Sequence, residues 1–221
     1  MTELTLYHGS TVTVGKPVFG LGKESNDYGR GFYCTESPEL AKGWACQYNK
    51  PGFSNSYRLE TDGLDILNLE SEEYSAMNWI AVVLRNRQIE PQGERGRYRV
   101  SRIVKMFYVD TDSHDVVTGY RADDSYFMFA TQFVNGFISY ERLKTALRLG
   151  DFGIQVVLKS RDAFDRIEFL GAEPVSPGRY YNMFRTREET ATRLFLSFSK
   201  NDDSEPTGTF VDDILDGRVT V

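Results

Sequence analysis

Three short segments near the start of the chain contain side chains that could form one binding pocket. They are YHGS with His8, DYGRGFYCT with Tyr33, and ELAKGWA with Trp44. An imidazole, a phenol and an indole are groups that can contact ribose hydroxyls and the faces of a flat aromatic ring. These residue types suit a nicotinamide dinucleotide that is held without a glycine-rich phosphate loop.

His8 comes at the end of a predicted strand, directly before Gly9 and Ser10. A histidine in that place could also be a surface residue or a satisfied core residue. Gly9 favours a pocket, because glycine lets the backbone come close to a ligand. A neutral His8 imidazole could donate to a ribose hydroxyl, the Gly9 backbone could bind a planar carboxamide, and Ser10 could add a hydroxyl.

Tyr33 and Trp44 are separated by eleven positions, with Tyr33 on a predicted strand and Trp44 on the inward face of the next predicted helix. Each could be an ordinary packing residue of the core. Together they could sandwich a nicotinamide ring, and each stack would contribute roughly 0.5–1.5 kcal/mol.

Gln155 interrupts the apolar strand FGIQVVL. A buried polar side chain needs a partner, which here could be the backbone or a ribose hydroxyl in the pocket. Asp123 and Asp124 form a carboxylate pair that could do acid–base chemistry or could lie in a solvated turn.

The pattern of apolar and turn-forming residues predicts short, separated strands with helices between them. Strands are predicted over 4–7, 32–35, 56–61, 116–120, 152–158 and 166–170. Helices are predicted over 38–48, 70–87, 98–108, 125–134, 140–149 and 177–199, the first with Ser37 as its N-cap and Pro38 at its first position. This pattern favours an α+β fold over a regular βαβ repeat.

The length of 221 residues suits one well-buried domain. We assign residues 1–200 to that domain, with a helical insertion at about 70–150, and residues 201–221 to a polar C-terminal tail. No stretch approaches the roughly 20 apolar residues of a membrane span, and no secretory signal is visible. We therefore expect no membrane partner and a cytoplasmic protein, or one exported without a cleaved signal peptide.

Two cysteines, Cys34 and Cys46, form neither a disulfide framework nor a zinc-like cluster, which indicates a reducing compartment and no metal site. The net charge of -6 excludes a polycation that binds nucleic acid non-specifically. One segment nevertheless has a local net charge of +5, because only Glu90 and Glu94 oppose its cations. The cations are Arg85, Arg87, Arg95, Arg97, Arg99, Arg102 and Lys105. They could form a solvated helix pair, or a docking face for phosphates of nucleic acid or of the dinucleotide.

These motifs resemble the ADP-ribosyltransferase superfamily, in the diphtheria-toxin-like branch that includes the poly(ADP-ribose) polymerases. That branch has a His-Tyr-Glu triad. His8-Gly9-Ser10 resembles its HG[ST] motif, and the segment from Gly29 to Tyr33 resembles its G-x-G-[IF]-Y strand. Trp44 occupies the place of a second ring, Ala41 that of a small hydroxyl residue, and Gln155 that of the glutamate. The combination is also similar to an uncharacterised bacterial domain family with a His-Tyr-Gln triad.

The resemblance implies a split β-sheet core with helical insertions and a C-terminal helix, binding NAD as a co-substrate. It implies cleavage of the bond between nicotinamide and ribose, with His8 on the adenosine-side ribose and Gly9 on the carboxamide. Tyr33 and Trp44 would hold the leaving ring and Gln155 the nicotinamide ribose. Because the Gln155 amide is neutral, single units rather than chains are expected.

The leading hypothesis is therefore a mono-ADP-ribosyltransferase acting on a protein, as a bacterial toxin, effector or phage-defence component. Nucleic acid is the alternative target, because of the basic segment. Two other hypotheses are a module that binds NAD or ADP-ribose without chemistry, which Gln155 and Ala41 favour, and an NAD glycohydrolase.

Overall fold

The computed structural model describes residues 2–87, 91, 93–121, 124–147, 153–200 and 208–221. Over these residues the chain has a mixed α+β fold with two sheets, which confirms the predicted fold class. The strands are β1 Glu3–Ser10, β2 Phe32–Cys34, β3 Gly52–Glu60, β4 Ile66–Asn68, β5 Val116–Tyr120, β6 Ile154–Leu158 and β7 Ile167–Val175. The helices are α1 Pro38–Ala45, α2 Ala76–Asn86, α3 Gly93–Phe107, α4 Asp124–Val134, α5 Tyr140–Leu147, α6 Arg161–Asp165, α7 Pro177–Lys200 and α8 Val211–Leu215.

The two sheets meet at one point. The first sheet has the order β1-β3-β7 and is antiparallel. The second has the order β2-β6-β5-β4, in which β4 and β5 are parallel. A single antiparallel bridge between Tyr7 of β1 and Thr35 after β2 connects them. Buried apolar side chains from both sheets, among them Leu6, Tyr57 and Leu158, pack together next to this bridge.

Helix α1 begins where the sequence predicts, because the Ser37 hydroxyl accepts the backbone N–H of Leu40 and Pro38 occupies the first turn. The helix packs tightly on β1. A Cβ atom at Gly9 would lie 2.0 Å from the carbonyl oxygen of Ala41, so only glycine fits there. This contact fixes the position of α1, and hence of Trp44, relative to β1.

Two domain assignments differ from the structure. The predicted helical insertion at about 70–150 also contains β5, which lies inside the second sheet between β6 and β4. The predicted polar tail at 201–221 does not extend over its last part, because Val211, Ile214 and Leu215 of α8 are buried in the main core. Residues 201–207 lie outside the described part of the chain. Within that part, no helix has the length and apolar character needed to span a bilayer.

Candidate functional site

A cleft of about 820 Å³ lies at the junction of the two sheets. His8 and Gly9 of β1, Tyr33 of β2, Trp44 of α1 and Gln155 of β6 all line it. The structure thus brings together five of the six residues predicted for the pocket, from three strands and one helix.

The His8 imidazole is held by the neighbouring strand. Its Nδ1 lies 2.7 Å from the carbonyl oxygen of Tyr33, so we assign the ring proton to Nδ1, which donates to that oxygen. Burial lowers the pKa of the imidazole, and the hydrogen bond to Tyr33 only partly opposes this shift. The ring is therefore neutral at pH 7, and its Nε2 can only accept. A ribose hydroxyl near Nε2 would therefore have to donate the hydrogen bond to His8, which is the reverse of the predicted direction.

The backbone N–H and C=O of Gly9 face the cleft, and the hydrogen bond between His8 and Tyr33 explains why. Tyr7 and Thr35 exchange both N–H···O bonds, at 2.7 and 2.9 Å. In a continued antiparallel ladder, the next such pair would be Gly9 and Tyr33. The bridge is isolated, however, and the Tyr33 carbonyl bonds the His8 side chain instead. The N–H and C=O of Gly9 therefore point outward from the edge of β1, where they offer a donor and an acceptor side by side.

Ser10 does not line the cleft, in contrast to its predicted role. Its hydroxyl donates to the carbonyl of Val12 and accepts the Asn55 amide at 3.2 Å. Asn55 is fully buried, donates to the carbonyl of His8 at 3.1 Å and accepts the N–H of Val14 at 2.9 Å. Ser10 and Asn55 thus hold the end of β1 in place. The role of Asn55 could not be predicted, because the sequence does not show whether a polar strand residue is buried.

The Tyr33 phenol forms a wall of the cleft and fixes the loop before β2. Its hydroxyl donates to the carbonyl of Gly29 at 2.6 Å and accepts the N–H of Tyr28 at 3.1 Å. Burial raises the pKa of the phenol far above its ordinary value, so it does not exchange protons near neutral pH. Tyr28 is itself fully buried and donates to the carbonyl of Tyr120 at 2.6 Å. The glycine-rich loop is therefore tied to the second sheet.

Trp44 is half-buried, and one of its neighbours is a cation that the sequence analysis did not identify. The guanidinium carbon of Arg121 lies 4.5 Å from the centre of the indole ring. The same group lies 5.9 Å from the Phe184 ring of α7. Both Arg121 and Phe184 line the cleft, so α7 contributes to a site that was predicted without it.

Gln155 is 5% exposed, and its side-chain oxygen Oε1 has no hydrogen-bond partner among the described residues. In the register of the second sheet, Gln155 lies opposite Gly119 of β5. An unpaired buried oxygen costs about 1–3 kcal/mol. Because Gln155 also lines the cleft, a ligand hydroxyl is a suitable partner for this acceptor.

Charged side chains also line the cleft. Among the described residues they are Lys16, Arg87, Arg121, Arg185 and the carboxylate Asp27. Asp27 is buried and forms an ion pair of 2.7 Å with Nε of Arg87, and Arg185 forms one of 2.9 Å with Glu189. Cations outnumber carboxylates in this lining, which favours an anionic ligand over a cationic one.

The basic segment is not one continuous face. Arg87 lies in the cleft, and the Arg85 guanidinium is 4.4 Å from the Tyr108 ring. Arg95, Arg99 and Arg102 bind α8, as described below, while Arg97 and Lys105 are exposed. The cations of this segment therefore lie in different surroundings, namely the cleft, the Tyr108 ring, the contact with α8 and the exposed surface.

Arginines of α3 hold α8 on the core. Arg99 donates to the Asp212 carboxylate at 2.7 and 2.6 Å, and Arg95 donates to it at 2.5 Å. Arg102 donates to the carbonyl of Leu215 at 2.7 Å. The hydrogen bonds from Arg99, more than the charges alone, hold the pKa of Asp212 at about 2.

Of the two carboxylates considered for acid–base chemistry, Asp123 lies outside the described residues. Asp124 is the first residue of α4. Asp27 is instead the carboxylate that the described part of the chain contributes to the cleft.

The chain belongs to a family described as "Protein of unknown function (DUF3990)", whose family model matches residues 4–169. This span includes His8, Tyr33, Trp44 and Gln155, and it ends before α7. Neither a search of curated proteins nor a search of solved structures found a match.

Proposed function

We propose that this protein is a mono-ADP-ribosyltransferase, which cleaves NAD between nicotinamide and ribose and transfers ADP-ribose to a macromolecular target. The observation that carries the proposal is the convergence of His8, Gly9, Tyr33, Trp44 and Gln155 on one cleft. Two sheets that meet at one bridge, with the cleft at their junction, support the split-sheet core of the ADP-ribosyltransferases.

The nicotinamide end of NAD matches the hydrogen-bonding and aromatic groups that line the cleft. A carboxamide has one donor and one acceptor in a plane, which matches the open N–H and C=O of Gly9. Tyr33 and Trp44 supply rings for the pyridinium, and a cationic ring is further favoured by aromatic faces. His8 accepts a hydrogen bond from a ribose hydroxyl through Nε2, and Gln155 accepts one through Oε1.

Cleavage places positive charge on the ribose, as in glycoside hydrolysis. Gln155 can orient the ribose through a hydrogen bond, but it cannot neutralise that charge. It also cannot take a proton from a hydroxyl of an ADP-ribose already attached. The proposed product is therefore a single ADP-ribose unit on each acceptor.

A protein is the proposed target, and the described structure weakens the case for nucleic acid. Of the cations in the basic segment, Arg95, Arg99 and Arg102 are occupied with Asp212 and Leu215. A phosphate-binding face would have to break contacts that hold α8.

A second candidate is a module that binds NAD or ADP-ribose without cleaving it. The observation in its favour is the lack of a free carboxylate at the reacting end within the described residues, because Gln155 is neutral and Asp27 is paired with Arg87. An NAD glycohydrolase differs from the main proposal only in using water as the acceptor.

The test is incubation of purified protein with a cell lysate and NAD labelled in its adenylate phosphate. Label that becomes acid-insoluble and is released by protease supports transfer to protein, whereas release by nuclease indicates a nucleic acid target. Free ADP-ribose with no insoluble label indicates a glycohydrolase, and binding without nicotinamide release indicates the non-catalytic module. His8→Ala serves as the form with weakened NAD binding, with His114→Ala, which changes the chain's other histidine outside the cleft, as its matched control.

A further inference from the structure

Lys159 is a buried lysine next to the glycine-rich loop that leads to β2. It directly follows β6, and its side chain is 2% exposed. Its ammonium donates to the carbonyl of Tyr28 at 2.5 Å and forms an ion pair of 2.8 Å with the carboxylate of Asp112. Asp112 is exposed and belongs to a short 3-10 helix, Thr111–Ser113. The lysine therefore connects a surface carboxylate with the buried side of the loop.

The two glycines of the loop leave room for this side chain. A Cβ atom at Gly29 would lie 3.5 Å from Nζ of Lys159, and one at Gly31 would lie 3.4 Å from its Cδ. Other atoms are even closer, because these Cβ atoms would lie 3.2 Å from Oδ1 of Asn86 and 2.6 Å from Cγ1 of Val157. Larger residues at the two positions would crowd the lysine and its neighbours, so the loop and Lys159 fit each other closely.

Tyr28 links Lys159 to the wall of the cleft. Its carbonyl accepts from Lys159, and its N–H donates to the Tyr33 hydroxyl at 3.1 Å. The Tyr33 hydroxyl in turn donates to the carbonyl of Gly29. Tyr33 lines the cleft, whereas neither Lys159 nor Asp112 does. Any effect of Lys159 on a bound ligand must therefore pass through the loop.

The burial of Lys159 makes its two contacts a strong constraint on the loop. An ammonium in this position needs acceptors, because a buried charge without a partner is costly. If the loop moved away, the ammonium would lose the Tyr28 carbonyl. If Asp112 were neutral, the ammonium would keep the carbonyl but lose the opposite charge.

We propose that Lys159, held by Asp112, is a positioning residue that fixes the loop at Tyr28 and thereby the Tyr33 ring in the cleft. This inference deepens the proposed function, on which it rests for NAD as the ligand that Tyr33 contacts. The position of the loop itself does not depend on which ligand the cleft takes.

The experiment combines amide NMR spectra of the ligand-free full chain with calorimetric titration of NAD. Lys159→Met removes the ammonium and keeps an unbranched apolar side chain, Asp112→Asn removes the partner charge, and Asp112→Glu retains it. The matched control is Asp162→Asn, which removes the carboxylate that pairs with Arg166 outside the cleft. Urea unfolding of each variant measures its stability separately.

We expect Lys159→Met and Asp112→Asn to shift or broaden the amide signals of residues 28–33, with the signals of β7 unchanged. Both should weaken NAD binding by about 2- to 12-fold, the range for loss of one aromatic stack. The double variant should weaken it no further, because both changes remove the same ion pair. Asp112→Glu should restore the spectrum and the affinity, and Asp162→Asn should change neither.

A purely structural lysine would give a different result. An unchanged affinity for NAD in both single variants, or unchanged signals at residues 28–33, would overturn the positioning role even if the urea midpoint falls. If Lys159→Met does not fold, the two Asp112 variants decide the question, since this side chain is exposed.

These measurements separate the positioning role from the proposed reaction. NAD binding that depends on Lys159 and Asp112, in a protein that never releases nicotinamide, would keep the positioning role and refute the transferase. A wild type that does not bind NAD would refute the proposed function, and the spectra alone would then decide whether Lys159 fixes the loop. Nicotinamide release with normal NAD affinity in both single variants would do the reverse.

Discussion

Replacing Gln155 by glutamate should raise the rate of nicotinamide release. The substitution changes one neutral amide into a carboxylate without changing the length of the side chain. It acts at a position where Oε1 has no partner among the described residues, so no protein contact of that oxygen has to be broken first. The carboxylate would face the ribose on which positive charge develops.

The size of the effect follows from Coulomb's law. A carboxylate and a unit positive charge about 4 Å apart attract by roughly 4 kcal/mol at an effective dielectric of 20. The nicotinamide ring of NAD is already positive before cleavage, so only the difference between ground state and transition state accelerates the reaction. We expect a net gain of about 1–2 kcal/mol, which corresponds to about a 5- to 30-fold higher rate.

The gain should depend on pH. Burial at 5% exposure will raise the pKa of the introduced carboxyl, because desolvation disfavours its charged form. The rate of Gln155→Glu should therefore rise with pH through that raised pKa, while the wild-type rate stays flat there. His8 and Tyr33, the other titratable members of the predicted triad, have pKa values shifted away from neutrality on opposite sides. Since the folded-state pKa of the new group is raised, the variant should also lose stability as pH rises.

The assay is chromatographic measurement of nicotinamide release between pH 5.5 and 8.5. Gln155→Met removes the hydrogen bond to the ribose and should lower the rate by about 2- to 12-fold, for a bond of about 0.5–1.5 kcal/mol. The same change removes an unpaired buried oxygen, so it should not lower stability. Gln132→Glu on α4, outside the cleft, is the control for added charge. Equal rates for the wild type, Glu and Met forms would show that Gln155 does not contact the reacting ribose.

Three further predictions concern other parts of the molecule. His8→Ala should weaken NAD binding about 2- to 12-fold by loss of one hydrogen bond, with little change in melting temperature; a collapse of stability with normal affinity, or an equal effect of His114→Ala, would make the residue structural. NAD should quench the emission of Trp44, and the signal should vanish in Trp44→Phe but survive in Trp79→Phe, since Trp79 is fully buried and donates to a backbone carbonyl; the reverse pattern would move the site. Asp212→Asn should lower the free energy of unfolding by about 2 kcal/mol at neutral pH, because the folded-state pKa of about 2 is below the ordinary 3.8. That stability is present above about pH 4 and is lost as pH falls through 2, so the difference between the urea unfolding curves should be large at pH 6 and only about a third as large at pH 2.5; a constant difference would refute the linkage.

Local signals in the sequence predicted most elements of the fold. Ser37 and Pro38 predict the start of α1, and the β-branched residues of VVTGY predict β5 at its observed bounds. Helix α2 begins at Ala76 rather than at residue 70, because Ser75 caps it through a hydrogen bond to the N–H of Met77. Apolar periodicity shows which residues can share a helix face, whereas the start of the helix depends on which hydroxyl caps it.

Helix α8 is not predicted from the sequence, because the segment is short and rich in aspartate. VDDIL carries only three apolar residues, and its burial depends on Arg99 and Asp212, which are 113 positions apart. A charge that is neutralised by a distant partner looks like a solvated charge in the sequence. The contacts of Arg95 and Arg99 in the basic segment cannot be predicted from the sequence for the same reason, since the carboxylate that they bind is distant in the chain.

The candidate site could be predicted to the extent that its residues lie next to recognisable turns. His8 and Gly9 end a strand, and Tyr33 follows a loop rich in glycine. Arg121 has no such signal, because its position over Trp44 arises from the pairing of β5 with β6 and from the packing of α7 on α1. A long side chain at a strand end can reach several places, and only the tertiary structure selects one.

The groups that line the described cleft restrict the acceptor in the proposed reaction. His8 already donates to the Tyr33 carbonyl, and the Tyr33 hydroxyl donates to Gly29. Asp27 is paired with Arg87. Among the described residues, no carboxylate remains to deprotonate an incoming hydroxyl. Acceptors that are already anionic at neutral pH, such as a carboxylate of a target protein, would therefore react in preference to serine or threonine hydroxyls, and the cations that line the cleft would attract them.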